Sequence, residues 1–146
     1  MGTRSLTMIG GKGEKAILTM YRQYDGYPEG HGLDLAEYLA PFAITNGIGA
    51  HAKLGLSANG VGCLSAQLVK HFKEAVGNIY LYPEGTHDIG EEYIYKVCVE
   101  EGNTTFVKGG NITIEVYEIG WGDDPDEAIF KGTPHHCAEW CKTRQQ

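Results

Sequence analysis

The sequence lacks an excess of positive charge. It contains 12 lysines and arginines against 19 aspartates and glutamates, which gives a formal net charge of -7. General binding to duplex nucleic acid requires a basic face that neutralises phosphates and releases their counterions. We therefore exclude that class of function, whereas a small basic pocket for a single anion stays compatible with the composition.

Long apolar runs are also missing: no segment reaches the roughly 18 residues that indicate a membrane-spanning helix. Residues 1–20 contain Gly10, Gly11 and Gly13 where a signal peptide would carry its hydrophobic stretch. We expect a cytoplasmic protein that does not bind membranes. In that compartment the four cysteines are expected to remain reduced thiols.

The length of 146 residues suits one domain over residues 1–146, with a core that needs no metal or disulfide. Strand-favouring residues before and after Gly10–Gly13 predict a β-hairpin formed by residues 5–9 and 16–24. A period of two predicts strands over 79–82, 93–99 and 111–118, with shorter strands at 106–107 and 128–131. The acidic residues 120–126 suggest a turn, and residues 134–142 suggest a terminal helical turn.

Two segments carry the period of a helix. Leu35, Leu39 and Phe42 predict a helix from about Leu33 to Ala43. A second apolar stripe runs from Val61 through Leu64, Leu68 and Phe72 to Val76, and Gly77 is expected to close that helix. The intervening residues 45–60 are expected to form an irregular loop with a short helical turn. Because strands flank this helical region, we predict an α+β fold: an antiparallel sheet of about five to seven strands with two main helices packed on one face.

The densest group of polar-tipped side chains lies in the run YRQYDGYPEGHG, residues 21–32. If the first two strands pair, Arg4 and Arg22 face one pocket. Their guanidinium groups suit phosphate oxygens, tyrosine rings stack on a base, and Asp25 accepts from an amino group or ribose hydroxyl. The alternative is structural: Arg22 pairs with a carboxylate and the tyrosines pack on the helices. The candidate ligand-binding residues are Arg4, Tyr21, Arg22, Tyr24, Asp25, Tyr27, His31 and Asn59.

Asn59 belongs to the segment NGVG, residues 59–62, at the predicted start of the second helix. Free N–H groups there favour an anion, whereas plain N-capping by Asn59 or Ser57 is the structural alternative. Cys63 follows in the first helical turn. A thiolate would be favoured in that position, with His31 or His51 as its base, but we interpret Cys63 as a small buried hydrophobic residue.

Cys137 and Cys141 lie one helical turn apart, beside His135 and His136. With a distant ligand such as Cys98 they form a hypothetical zinc site, although a strong signature would contain two tight ligand pairs. Thiols packed beneath the terminal turn are the alternative. We assign no metal and no cofactor from the sequence.

Four segments resemble a family of small, mostly uncharacterised proteins of bacteriophages and bacteria. They are the opening MGTRSLT, the run of residues 21–32, the helix entry at residues 59–64 with Gln67 and Leu68, and the strand at residues 79–83. The resemblance covers most of residues 1–95. It implies a phage counter-defence protein in the host cytoplasm. Some small phage proteins sequester nucleotide immune signals such as cyclic dinucleotides, and others block CRISPR effectors.

Together, the residues and the resemblance predict a non-catalytic binding protein that sequesters a small anionic nucleotide-type signal. Its partners would be that ligand or a host defence protein, with no duplex nucleic acid. Exposed rings of Tyr80, Tyr82, Tyr93 and Tyr95 would favour a homo-oligomer. One alternative is an acidic protein-interaction inhibitor, such as an anti-CRISPR protein, that uses Asp123, Asp124 and Asp126. A second alternative is a small hydrolase that uses His31 with Asp25 or Cys63.

Overall fold

The computed structural model describes residues 2–45, 57–100, 111–119 and 127–144. In chain order they form β1 (Ser5–Gly11), β2 (Leu18–Arg22), α1 (Leu33–Leu39), β3 (Ala43–Thr45), β4 (Ser57–Asn59), α2 (Gly60–Phe72), β5 (Ile79–Tyr82), β6 (Tyr93–Val99), β7 (Ile112–Glu118), β8 (Phe130–Gly132) and α3 (Pro134–Thr143). A short π-helix, Pro28–Gly32, leads directly into α1. None of the helices in these ranges is long and apolar enough to cross a membrane.

Six strands form one sheet in the order β5-β2-β1-β6-β7-β8. Neighbouring strands run antiparallel, except that β1 and β6 are parallel. A parallel pair requires a long crossover connection, and the chain between these two strands contains α1 and α2. The predicted α+β class and strand number are therefore confirmed for a mostly antiparallel sheet. A third helix, α3, joins the two that were predicted.

The helices cover one face of the sheet, which we call the inner face. Alternate residues of β6 and β7 are buried in the core beneath them: Tyr95, Val97, Val99, Ile112, Ile114 and Val116. The same core contains Leu35 and Leu39 of α1, Leu64 and Leu68 of α2, and Cys137 and Cys141 of α3. The intervening residues Thr113, Glu115 and Tyr117 are only partly buried, as the period of two predicts for a strand with one covered face.

The opposite, outer face of the sheet is crossed by the connection between β5 and β6. Strand directions make β5 parallel to β6, so residues 83–92 must return along the length of the sheet. Gly85 borders a cavity with Met8 and Lys96, and Gly90 lies against the guanidinium of Arg4. The connection therefore passes over the outer face.

Both predicted helices end earlier than expected. Helix α1 stops at Leu39, because Ala43–Thr45 pairs with β4 as a short parallel strand instead of continuing the helix. Helix α2 stops at Phe72 instead of reaching Val76. Lys73 adopts an extended conformation there, and Asn78 Nδ2 donates to the Phe72 carbonyl over 2.8 Å. The side chain of Asn78 thus replaces the next helical turn as the partner of that carbonyl.

The structure confirms the predicted hairpin and shows where the C-terminal elements begin, whereas other predicted segments lie outside the described residues. The hairpin is confirmed, and the terminal turn is a full helix whose N-cap Thr133 accepts a hydrogen bond from the His136 N–H. The last strand begins at Phe130, slightly later than predicted. The strand predicted at 106–107, the acidic turn at 120–126 and most of the loop predicted at 45–60 lie outside the described residues.

The end of α2 can be tested with two truncations. Phe72→Ala should lower the free energy of unfolding by ~3–5 kcal/mol, because the Phe72 ring is buried in the core. Val76→Ala should change it by less than about 0.5 kcal/mol, because Val76 is fully exposed. Urea unfolding followed by circular dichroism measures both. Similar losses for the two variants would mean that the apolar stripe continues past Phe72.

Candidate functional site

His31 occupies the centre of the run that the sequence singles out. The π-helix places its ring against the inner face of the sheet, where the residue is completely buried. Arg22 Nη1 lies 3.0 Å from His31 Nδ1, and Thr7 Oγ1 lies 2.7 Å from His31 Nε2. Because a guanidinium can only donate, Nδ1 is the acceptor and Nε2 carries the proton that is donated to Thr7. Both ring nitrogens are therefore engaged.

The surroundings of His31 favour its neutral form. Its ring centroid lies 4.6 Å from that of Phe72 and 4.9 Å from that of Tyr95. Burial, then the charge of Arg22, then that of His71 lower the pKa of His31 from 6.5 to about 3. A general base needs an accessible nitrogen near the substrate. The His31 ring offers none, so the geometry supports a structural role for His31 and opposes its use as a general base.

The rest of the run folds tightly against the start of the sheet. The Asp25 carbonyl accepts from the His31 N–H over 2.9 Å, and Asp25 has a φ of 60°. Gly26 donates its N–H to the Thr3 carbonyl, and a Cβ on Gly26 would lie 2.7 Å from the Ser5 Cβ. Only glycine fits this approach. The side chains of Tyr24, Asp25 and Tyr27 remain exposed around this turn.

Arg4 and Arg22 do not face one pocket, which corrects the expectation from the sequence. Arg22 is opposite Ser5 in the β1–β2 register, on the inner face. Arg4 precedes Ser5, so alternation places its side chain on the outer face, where it lies beside Gly90. The Arg22 guanidinium is also occupied, since its Nε donates to the Tyr24 carbonyl over 2.8 Å. Two arginines on neighbouring strands lie on the same face of the sheet only when the pairing register places both positions on that face.

The four tyrosines expected to form one apolar surface are also divided between the two faces. Tyr80 and Tyr82 of β5 lie on the outer face, where both contact the ring of Tyr21 edge to face. Tyr95 is fully buried on the inner face and donates its hydroxyl to the Gly26 carbonyl over 2.6 Å. Tyr93 shares that side of β6 and is half-buried. Of these four rings, Tyr80 and Tyr82 are the exposed ones that would favour an oligomer.

Asn59 stands at the N-cap position of α2, as predicted, but its side chain makes no capping hydrogen bond. The residue is exposed. Cys63, expected as a nucleophile or a buried hydrophobic residue, is exposed and donates its thiol to Gln67 Oε1 over 3.2 Å. The same Gln67 donates to the Ser57 carbonyl over 3.1 Å, which ties α2 to β4. Cys63 is therefore hydrogen-bonded to Gln67, a residue whose side chain has a structural role.

The structure does not assemble the hypothetical zinc ligands. Cys137 and Cys141 are both fully buried in the core, whereas His135 and His136 are exposed. A hydrogen bond to Cys141 and burial raise the pKa of Cys137 well above its usual range, so this thiol is protonated. Among the described residues, no three potential metal-binding side chains cluster. The two thiols act as packing groups beneath α3.

The burial of neutral His31 predicts a pH-dependent stability. The unfolded state binds a proton below pH 6.5, whereas the folded state resists protonation down to about pH 3. Stability should therefore fall on acidification through this window, by up to ~1.4 kcal/mol per pH unit. Urea unfolding at several pH values measures this slope. His31→Gln provides the control: if its stability falls as steeply as that of the wild type, the slope comes from other groups.

No protein-family model, no curated protein and no solved structure matches this chain.

Proposed function

We propose that this protein is a non-catalytic binding protein that captures a small anionic nucleotide-type ligand. The chemistry of its reactive side chains supports binding without turnover. His31 has no free nitrogen, and in the described part of the chain no cysteine thiol hydrogen-bonds to a histidine. A nucleophile needs such a base in its immediate neighbourhood.

The observation that carries the proposal is the state of Arg4. Its side chain is half-buried, yet within the described residues it has neither a hydrogen-bond acceptor nor a carboxylate within ion-pair distance. A guanidinium partly removed from water gains most from an anion that pairs with its planar donors. Phosphate is the anion that this fork matches bidentately.

Aromatic rings stand on the same face as Arg4. Continuing the β1–β2 register places Gln23 opposite Arg4, and Gln23 Oε1 accepts from the Tyr21 hydroxyl over 2.8 Å. The Tyr21 and Tyr80 ring centroids are 5.8 Å apart, and Tyr80 is 45% exposed. A base can stack on an exposed ring of this kind while its phosphate meets a guanidinium. The presence of a guanidinium and an exposed ring on one face thus supports the proposal of a nucleotide-type ligand.

This surface retains Arg4 and Tyr21 from the residues predicted by sequence and adds Tyr80. Arg22 and His31 support the fold on the opposite face, and their role in binding stays a prediction. The resemblance to phage proteins favours a counter-defence role, in which the captured ligand is an immune signal such as a cyclic dinucleotide. Capture without turnover would lower the free concentration of that signal.

Calorimetric titration with a cyclic dinucleotide tests the proposal. We expect saturable binding by the wild type and a loss of affinity of about tenfold or more in Arg4→Ala, because a charge-assisted pair is removed. Arg4→Lys should retain part of the affinity, since the charge remains but the planar fork is lost. Lys142→Ala removes the same charge from an exposed position on α3 and should bind like the wild type.

Two results would contradict the proposal. The first is equal affinity of Arg4→Ala and Lys142→Ala, which would mean that the ligand responds only to total charge. The second is a ligand that chromatography finds altered after incubation with the protein, which would establish turnover. Mass spectrometry of small molecules released by denaturing the purified protein would identify a retained ligand directly.

A further inference from the structure

Strand β5 forms one edge of the six-stranded sheet, and β2 is its neighbour there among the described strands. The Gln23 N–H donates to the Asn78 carbonyl over 3.0 Å, at the position where the β2–β5 register continues past the strands. In an antiparallel pair, residues that exchange hydrogen bonds alternate with residues whose N–H and C=O groups point away from the partner strand. The backbone of Ile79 and Leu81 therefore points away from β2, toward the open edge.

Two residues restrict what can pair with this edge. Lys73 Nζ donates to the Ile79 carbonyl over 3.0 Å, so this acceptor already has a partner. Pro83, directly after β5, has no N–H to donate. Lysine and proline in such positions protect edge strands from unspecific pairing. They remain compatible with a pairing in which the proline nitrogen faces the carbonyl that Lys73 satisfies.

A second copy of β5 meets this condition when the two strands pair antiparallel about a two-fold axis at Leu81. The two Leu81 residues then exchange both of their backbone hydrogen bonds, and the Ile79 N–H of each copy faces the Pro83 carbonyl of the other. The Ile79 carbonyl faces the proline nitrogen and keeps its bond from Lys73. The backbone of this edge is thus complementary to itself in this register.

The exposed side chains of β5 fit the same register. Tyr80, Leu81 and Tyr82 are 45%, 54% and 38% exposed. Tyr80 of one copy lies opposite Tyr82 of the other as a non-hydrogen-bonded pair, in which side chains approach most closely. Aromatic cross-strand pairs of this kind stabilise antiparallel strands. The two Leu81 side chains meet on the other face, so the pairing covers apolar surface on both sides of β5.

The charges at the two ends of β5 are also complementary. The Lys73 ammonium group lies at the start of the strand, 6.0 Å from the Tyr80 ring centroid. Glu84 follows the other end, is exposed and forms no ion pair within the described part of the chain. Antiparallel pairing brings Glu84 of each copy beside Lys73 of the other. These two ion pairs oppose the repulsion between chains that each carry a net charge of -7.

We propose that a second copy of this chain binds along β5 in this register, so that the two six-stranded sheets join into one across a two-fold axis. Because a strand of four residues buries a small area, the dimer should dissociate on dilution. The interface requires neither Arg4 nor the anion proposed to bind there. Its failure would therefore leave the proposed function untouched.

Sedimentation velocity of the full chain, from low micromolar to millimolar concentration, tests this interface. We expect the mass to rise from 16.0 kDa toward twice that value as the concentration increases. Leu81→Lys places two like charges across the two-fold axis and should raise the dissociation constant about tenfold or more. Val76→Lys is the matched control, because it adds the same charge at a fully exposed apolar position outside β5 and should dimerise like the wild type.

Intermolecular disulfides test the register separately. In a Cys63→Ser background, which removes an exposed thiol, a mixture of Tyr80→Cys and Tyr82→Cys should cross-link on mild oxidation. Directly opposed, non-hydrogen-bonded positions suit disulfide geometry, whereas either variant alone should cross-link much less. A wild type that stays monomeric at every concentration would overturn the proposal. So would equal dissociation constants for Leu81→Lys and Val76→Lys, or equal cross-linking with and without mixing.

Discussion

The hydrogen-bonded imidazole of His31 is the interaction on which the arrangement of the surrounding elements depends. It joins Thr7 of β1 to Arg22 of β2 and packs against Phe72 of α2 and Tyr95 of β6. A polar ring can be buried at this depth only if it is neutral and both nitrogens have partners. The site meets both conditions. Four elements are therefore fixed relative to one another by a side chain that the sequence presents as a candidate ligand-binding residue.

This role explains why residues 21–32 are so rich in glycine and polar-tipped side chains. A Cβ on Gly32 would lie 3.1 Å from the Tyr95 ring and 3.2 Å from Cys141 Sγ, so a larger residue there would force these side chains to shift. The Tyr95 hydroxyl is satisfied by the Gly26 carbonyl. Many of the glycines and polar-tipped side chains that indicate a binding surface in the sequence thus position His31 in the core. The side chains of Tyr24, Asp25 and Tyr27 remain exposed outside this core.

Patterns in short stretches of sequence predicted the elements whose formation depends on residues close together in the chain. The hairpin and the alternation of β7 follow from turn residues and from a period of two, and both are found. The end of α2 depends on Asn78, whose side chain reaches back to Phe72, and no periodicity contains that contact. The opposite orientations of Arg4 and Arg22 depend on the register Ser5↔Arg22. A shift of the register by one residue would place both arginines on the same face. The predicted pocket therefore depended on the register, which the sequence alone does not determine.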